Sequence, residues 1–511
     1  MEQELAITME LDSTDSSMEL DRRDPNLSLQ SRGHSYLEKI RSLPVVSAGD
    51  GGSSSWSSRS ARSTHYSTTM STSLSGGGSH NHRDAPYWYS CTNRMVVRLD
   101  VNSHRDIARQ MVRDGFMMNL IREFSRGPDS VLERWFFELD VGFVLRSALE
   151  PDLNDLVRRW TQGLTVMAQA LSATHRHIKE ERRPASDDDE MQDDLRFAQF
   201  AEETISKMLA FADVVLAAAG NTWRQPTDKL LRLMDVHIYT IDVEEIIIPL
   251  LEKEALWLPN LQKMERIVQK ISNVFSSTED STRKAIHVIT VEAEAVTPVL
   301  SRDSWETFLD SAEIHKVTHL IMDYARLFWE HQDELNSILL QRYSFRWEVR
   351  SLITQMMSNL MNQLEKKSES LSDPSLRYLF LLNNSCFIQD EFLSITGYTF
   401  PLDSDTRLTY WYYEDYYLNV SWDTVLSCLH VKAPLLFFKH SPMARFESEF
   451  QRTCRHQKLC PNPELRKSLR KAIIDKVITG YKRYLEDHPD QEKCSIDPQD
   501  MEDMVNELFE G

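Results

Sequence analysis

Glycine is scarce in this sequence. Only 15 of 511 residues are glycine, well under the usual ~7%. Nearly half of those lie in the first eighty residues, so the long remainder is almost free of them. That argues against Gly-rich phosphate-cradling folds, and neither GxxxxGK[ST] nor GxGxxG occurs. HExxH and GxSxG are missing as well. Nothing supports a catalytic assignment, and the chain reads as a non-enzyme.

Cysteine is equally sparse. Cys91, Cys386, Cys428, Cys454, Cys460 and Cys494 are scattered, with no CxxC pair and no disulfide framework. Cys454, His456 and Cys460 sit close together, but their spacing matches no usual zinc pattern and a fourth ligand is not in sight. No metal or other cofactor is expected. Long apolar runs are missing too: nothing approaches the ~20 residues that span a bilayer. Ile246–Leu251 is among the longest runs, and Pro249 interrupts it. The first residues lack the basic and apolar stretches of a signal peptide. These features point to the cytosol with reduced thiols.

Basic residues are outnumbered, 58 against 78, for a formal charge of −20. Phosphate binding needs a positive field, so nucleic acid is a poor partner for the chain as a whole.

What the sequence does contain is helical periodicity. Apolar positions recur every three to four residues at Ile107, Met111, Met117, Leu120 and Ile121. Similar stretches follow at 131–149, 153–177, 195–219, 229–251, 261–275, 282–300, 314–342 and 344–367. No alternating strand pattern lasts more than a few residues. The fold class is all-α. Residues 1–85 differ: Ser, Thr and Gly dominate from Ser47 to Ser79, too polar to offset chain entropy, which predicts a disordered tail. Helical bundles are expected over 86–225, 226–342, 343–430 and 431–511. The aromatic run Tyr410-Trp-Tyr-Tyr-Glu-Asp-Tyr-Tyr417 is expected to pack mostly into a junction between bundles.

The sign of the charge reverses locally. From Arg452 to Arg483 ten basic residues face two acidic ones, a net +8 in a chain of −20, and beyond Tyr484 the acids dominate again. Asn462-Pro463 reads as a helix N-cap with Pro at the first position. Projected at ~100° per residue, Ile473, Ile474, Val477, Ile478, Tyr481, Tyr484 and Leu485 share one arc. Lys471, Lys476, Lys482 and Arg483 take the opposite side, with Asp475 and Thr479. Two readings fit: a solvated basic helix balancing the acidic tail, or a surface for anionic lipid, where each Lys or Arg contributes about 1 kcal/mol.

Several motifs carry a resemblance. Arg377-Tyr-Leu-Phe-Leu-Leu-Asn383-Asn384 resembles the "YxFLxNN" signature of the seventy-kilodalton exocyst subunits. Trp422–Leu429 is similar to their "SWxxVLxxL" helix, and Ile314–Thr318 through Met322–Tyr324 to their "IHPLTxxVMNY" stretch. Arg445–Phe450, Arg455-His-Gln457, Pro463–Arg466 and Tyr481 match the terminal region, and order and spacing agree from about Met95 onward. The plant branch looks closest.

The resemblance implies an elongated rod of stacked antiparallel bundles that tethers secretory vesicles to the plasma membrane during exocytosis. It implies peripheral attachment there through phosphatidylinositol 4,5-bisphosphate, carried onto Arg466, Lys467, Arg470, Lys471, Lys476, Lys482 and Arg483. Other exocyst subunits and a Rho-type small GTPase are the implied partners. The chain departs from the pattern in three places. Lys316 replaces a Pro, the 457–463 stretch lacks a Trp and is about two residues short, and a Ser/Gly tail stands where the family carries a long N-terminal helix. The last departure leaves an alternative, a rod-shaped signalling or immunity adaptor no longer stably incorporated in the exocyst.

Overall fold

The computed structural model describes residues 25–43, 45–46, 98–127, 153–181, 187–218, 226–255, 261–296, 312–340, 349–397, 410–430, 441–489 and 496–510. The first part contains α1 (Pro25–Arg41), β1 (Val45–Val46), β2 (Arg98–Leu99), α2 (Val101–Arg113) and α3 (Phe116–Arg126). Four long helices follow: α4 (Leu153–Glu180), α5 (Asp187–Ala217), α6 (Pro226–Ala255) and α7 (Leu261–Ala295). Next come α8 (Lys316–Glu330), α9 (Gln332–Leu340), α10 (Val349–Ser368), α11 (Pro374–Thr396), α12 (Tyr410–His430) and α13 (Pro442–His456). The last group is α14 (Pro463–Ile473), a π segment (Ile474–Ile478), α15 (Thr479–Asp487) and α16 (Pro498–Asn506). The helix expected over 131–149 and the Ser/Gly run Ser47–Ser79 lie outside the described residues.

Each helix follows from its apolar spacing. In α4, Leu153, Leu156, Val157, Trp160, Leu164, Met167 and Leu171 form one buried stripe, with Asp155 in the first turn and Lys179 in the last to complement the helix dipole. The Trp160 indole N–H donates to the Met208 carbonyl at 2.7 Å, which satisfies its one polar group inside the core. Asp373 caps α11, accepting from the Ser375 N–H, and Gly397 ends it at φ +69°, a left-handed turn that glycine adopts without strain.

The bundles stack in sequence order. α2 packs on α4, α4 on α6, α5 on α7, and α6 on α7. α8 and α10 join this group to α11, and α11 leads through α12 to α13–α16. The result is an all-α elongated assembly of antiparallel bundles, whose strand content among the described residues is the two-residue antiparallel pair β1–β2.

One expectation needs correction. Part of the segment expected to be disordered is folded: α1 docks on α2, α3 and α4, burying Tyr36, Leu37, Ile40 and Leu43. Tyr36 packs beside Phe116 with ring centroids 5.1 Å apart, and its hydroxyl donates to Asp114. Gln162 Nε2 donates to the Leu43 carbonyl at 3.1 Å, closing the junction. Four apolar side chains within eight residues suffice, at roughly 1.5–3 kcal/mol each when buried, despite the polar setting around them.

Candidate functional site

The basic helix is built on a local rule. Asn462 caps it as its sequence predicts, its Oδ1 accepting from the Glu464 and Leu465 N–H groups at 2.9 and 3.0 Å. One stripe of its buried residues then falls at every fourth position, Leu465, Leu469, Ile473, Val477 and Tyr481, with Ile478 and Tyr484 buried beside it. On an ideal α-helix a four-residue step overshoots one turn by about 40°, so four steps would carry this stripe roughly 160° off the core. The π segment at Ile474–Ile478 absorbs the excess by taking about one extra residue per turn. Gly480 allows the close approach to α12, since a Cβ there would lie 2.9 Å from Leu426 Cδ2.

That extra residue sorts the basic side chains into three directions. Arg466, Arg470 and Lys482 lie on the side facing α16 and the segment after it. Glu510 forms ion pairs with both Arg466 and Arg470. Arg470 also donates to the Leu508 carbonyl, from Nε at 3.1 Å. Lys482 pairs with Glu502 at 2.9 Å. Lys476 points the other way, to Asp423 at 2.7 Å and Asn419 Oδ1 at 2.6 Å on α12. Lys467, Lys471 and Arg483 are exposed, with no polar partner among the described residues. With the extra π residue discounted, Lys471 and Arg483 stand about three turns apart on one face, roughly 16 Å along the axis. Asp475 is exposed between them.

So the simple α-projection misplaces one residue. Lys476, expected on the solvent face, is half-buried and paired. The hydrogen bond from Arg470, with Arg466 beside it, holds the Glu510 carboxyl below the usual carboxylate range.

The motifs behind the family resemblance meet at a second place. Asn384, fully buried on α11, accepts at Oδ1 from the His315 N–H at 3.0 Å and the Thr318 hydroxyl at 2.7 Å. Its Nδ2 donates to the Phe380 carbonyl at 2.8 Å. His315 in turn caps α8, its Nδ1 accepting from the Val317 N–H at 3.1 Å. Asn383 donates to the Ala312 carbonyl at 2.7 Å and faces the Leu459 carbonyl at 3.4 Å. The paired asparagines therefore join the start of α8, the middle of α11 and the approach to α14. Their adjacency inside an apolar helix was the signal in the sequence; the partners were not legible there.

The family formed by the C-terminal region of the Exo70 exocyst complex subunits matches residues 158–507, which include both the asparagine junction and the basic helix. The chain belongs to the Exo70 family. Among curated relatives, exocyst complex component EXO70A3 of Arabidopsis thaliana is 22% identical over 439 residues, 80% of this chain and 70% of that protein. EXO70B2 of the same plant is 25% identical over 395 residues, 74% of this chain and 62% of its own length. The plant-type resemblance agrees with these relatives. A solved S. cerevisiae Exo70 structure aligns over 80% of this chain and 86% of its own, at 14% identity and a TM-score of 0.36.

The remaining candidates of this Exo70 chain are structural. In the aromatic run, Tyr413 and Tyr417 are buried while Trp411 and Tyr416 are exposed, and Tyr378 stacks on Tyr416 at 5.2 Å. Cys460 is buried, and burial pushes its thiol up to about 12. His456 Nδ1 sits 2.6 Å from the Arg452 carbonyl of its own helix. Among the described residues no cluster of His, Cys, Asp and Glu has the makings of a metal site. No described helix is long and apolar enough to cross a membrane.

Proposed function

We propose that this chain works as an exocyst-type tethering subunit that meets an anionic plasma membrane through the Lys467–Lys471–Arg483 stripe. Phosphatidylinositol 4,5-bisphosphate is the proposed lipid, with other exocyst subunits and a Rho-type GTPase as partners. The observation that supports the membrane contact is that these three side chains are exposed and, among the described residues, unpaired on one face of a helix whose other basic residues all have partners. At about 1 kcal/mol per basic group, three supply roughly a hundredfold in affinity. That magnitude suits reversible, peripheral attachment.

The test is flotation with vesicles of phosphatidylcholine with and without phosphatidylinositol 4,5-bisphosphate. Replacing Lys467, Lys471 and Arg483 by Ala is expected to leave folding within about 0.5 kcal/mol per site and to lower binding ten- to hundredfold on the order given by their charges. Asp475→Lys is expected to strengthen binding, and added salt to weaken it. A folded triple variant that binds as wild type does sinks the assignment. A second reading, a rod acting outside the stable complex, draws on α1, whose apolar residues are buried against its own body rather than offered to a partner helix. Co-purification with the other exocyst subunits in high salt decides against it.

A further inference from the structure

Two basic residues of the candidate helix, Arg466 and Arg470, are covered by a segment of the chain's own sequence. Leu508 and Phe509 are 7% and 3% exposed, so the segment is seated in the core of the last bundle. The Phe509 carbonyl accepts from the Cys460 N–H at 3.3 Å, and its ring lies 6.3 Å from that of Tyr417. Phe509 adopts φ +68°, a left-handed backbone that a bulky residue rarely takes. The local conformation is therefore uphill, held by burial of the ring and by the pairs on either side of it. The consequence is positional: Glu510 is delivered between Arg466 and Arg470, which are only 20% and 19% exposed at the side chain. Glu502, one turn before the end of α16, meets Lys482 on the same side.

We infer that residues 508–510 act as an intramolecular latch on the basic helix, with Glu510 occupying the two arginines that an anionic lipid headgroup would otherwise engage. The inference rests on the membrane reading above and concerns its regulation. Lys467, Lys471 and Arg483, exposed and without a partner among the described residues, make the first contact in the latched state. An anionic surface then competes with Glu510 for Arg466 and Arg470, and release relaxes the left-handed turn at Phe509. A strained, locally seated segment facing a competing charge has the two arrangements that a switch needs.

The experiment compares four proteins by flotation with phosphatidylcholine vesicles containing phosphatidylinositol 4,5-bisphosphate: wild type, Glu510→Gln, Glu510→Gln combined with Arg466→Ala and Arg470→Ala, and the Lys467/Lys471/Arg483 triple Ala variant. Glu510→Gln is expected to bind roughly three- to tenfold more tightly, the effect of about one charge at the surface. That gain is expected to vanish when Arg466 and Arg470 are also removed. In a second measurement, hydrogen exchange at the Cys460 amide is expected to speed up when wild type is on vesicles, because its acceptor is the Phe509 carbonyl. Binding of Glu510→Gln equal to or weaker than wild type overturns the latch, as does a gain that persists without the two arginines. Unchanged binding by the triple Ala variant overturns the free stripe instead. The latch survives that result if the Glu510 gain still depends on Arg466 and Arg470.

Discussion

Asn384 on α11 accepts from the Thr318 hydroxyl at 2.7 Å, across 66 residues of sequence, and from the His315 N–H one turn before it. One side-chain oxygen thus receives two buried donors from the start of α8. This is the physical content of two motifs that look unrelated in the chain. The arrangement is strongly asymmetric in energy: forming it contributes modestly, whereas removing the acceptor leaves two donors without water or protein to bond.

Replacing Asn384 by Ala is therefore expected to cost about 2–4 kcal/mol. Thermal and urea melting would show it as a lowered midpoint. Thr318→Ala removes one donor together with its need for an acceptor and is expected to cost less, about 1 kcal/mol. If the two substitutions cost the same, the junction is not organised around the Asn384 oxygen.

A second expectation concerns α1. Tyr36 is 3% exposed and packs on Phe116, so Tyr36→Ala is expected to weaken docking by roughly 3 kcal/mol. Opening of α1 would rise about a hundredfold. Hydrogen exchange across Pro25–Arg41 checks this, and helices α8 to α16 should keep their protection, since α1 packs on α2, α3 and α4. Tyr36→Phe keeps the ring and loses the bond to Asp114, so its effect should be far smaller.

A third follows from Glu244, on α6 where it packs against α7. Burial, then the neighbouring Glu279 and Glu245, raise its carboxyl from 4.5 to about 7. The folded chain then holds a proton that the unfolded chain releases between about pH 4.5 and 7. The stability from this group is present below that window and is lost as pH rises through it. Glu244→Gln mimics the protonated acid. Its melting temperature relative to wild type should rise from about pH 5 to about pH 8, and a difference that shrinks over that range would contradict the pairing with Glu279.

Much of the fold was legible because helices are written in local spacing. The stripe of α4 and the Asn462-Pro463 start are both readable within a few residues of where they act. α1 was missed because its four buried side chains sit in a polar, serine-rich neighbourhood that lowers any average over a longer window. The basic helix was found by its charge. A constant angle per residue then placed Lys476 on the solvent side, since a projection of that kind cannot register the extra residue of a π turn.

Charge content and helical period are properties of the chain itself, so the sequence alone was enough to establish an all-helical body with one basic segment in an acidic whole. Which of those charges remain available is decided by packing. Glu510 lies 44 residues from Arg466 in sequence, and Asp423 lies far before Lys476; neither pairing has any local signature. They exist because Phe509 buries beside Tyr417 and because Gly480 brings the helix against α12. Ion-pair partners depend on where whole helices come to rest, and only the tertiary structure settles that.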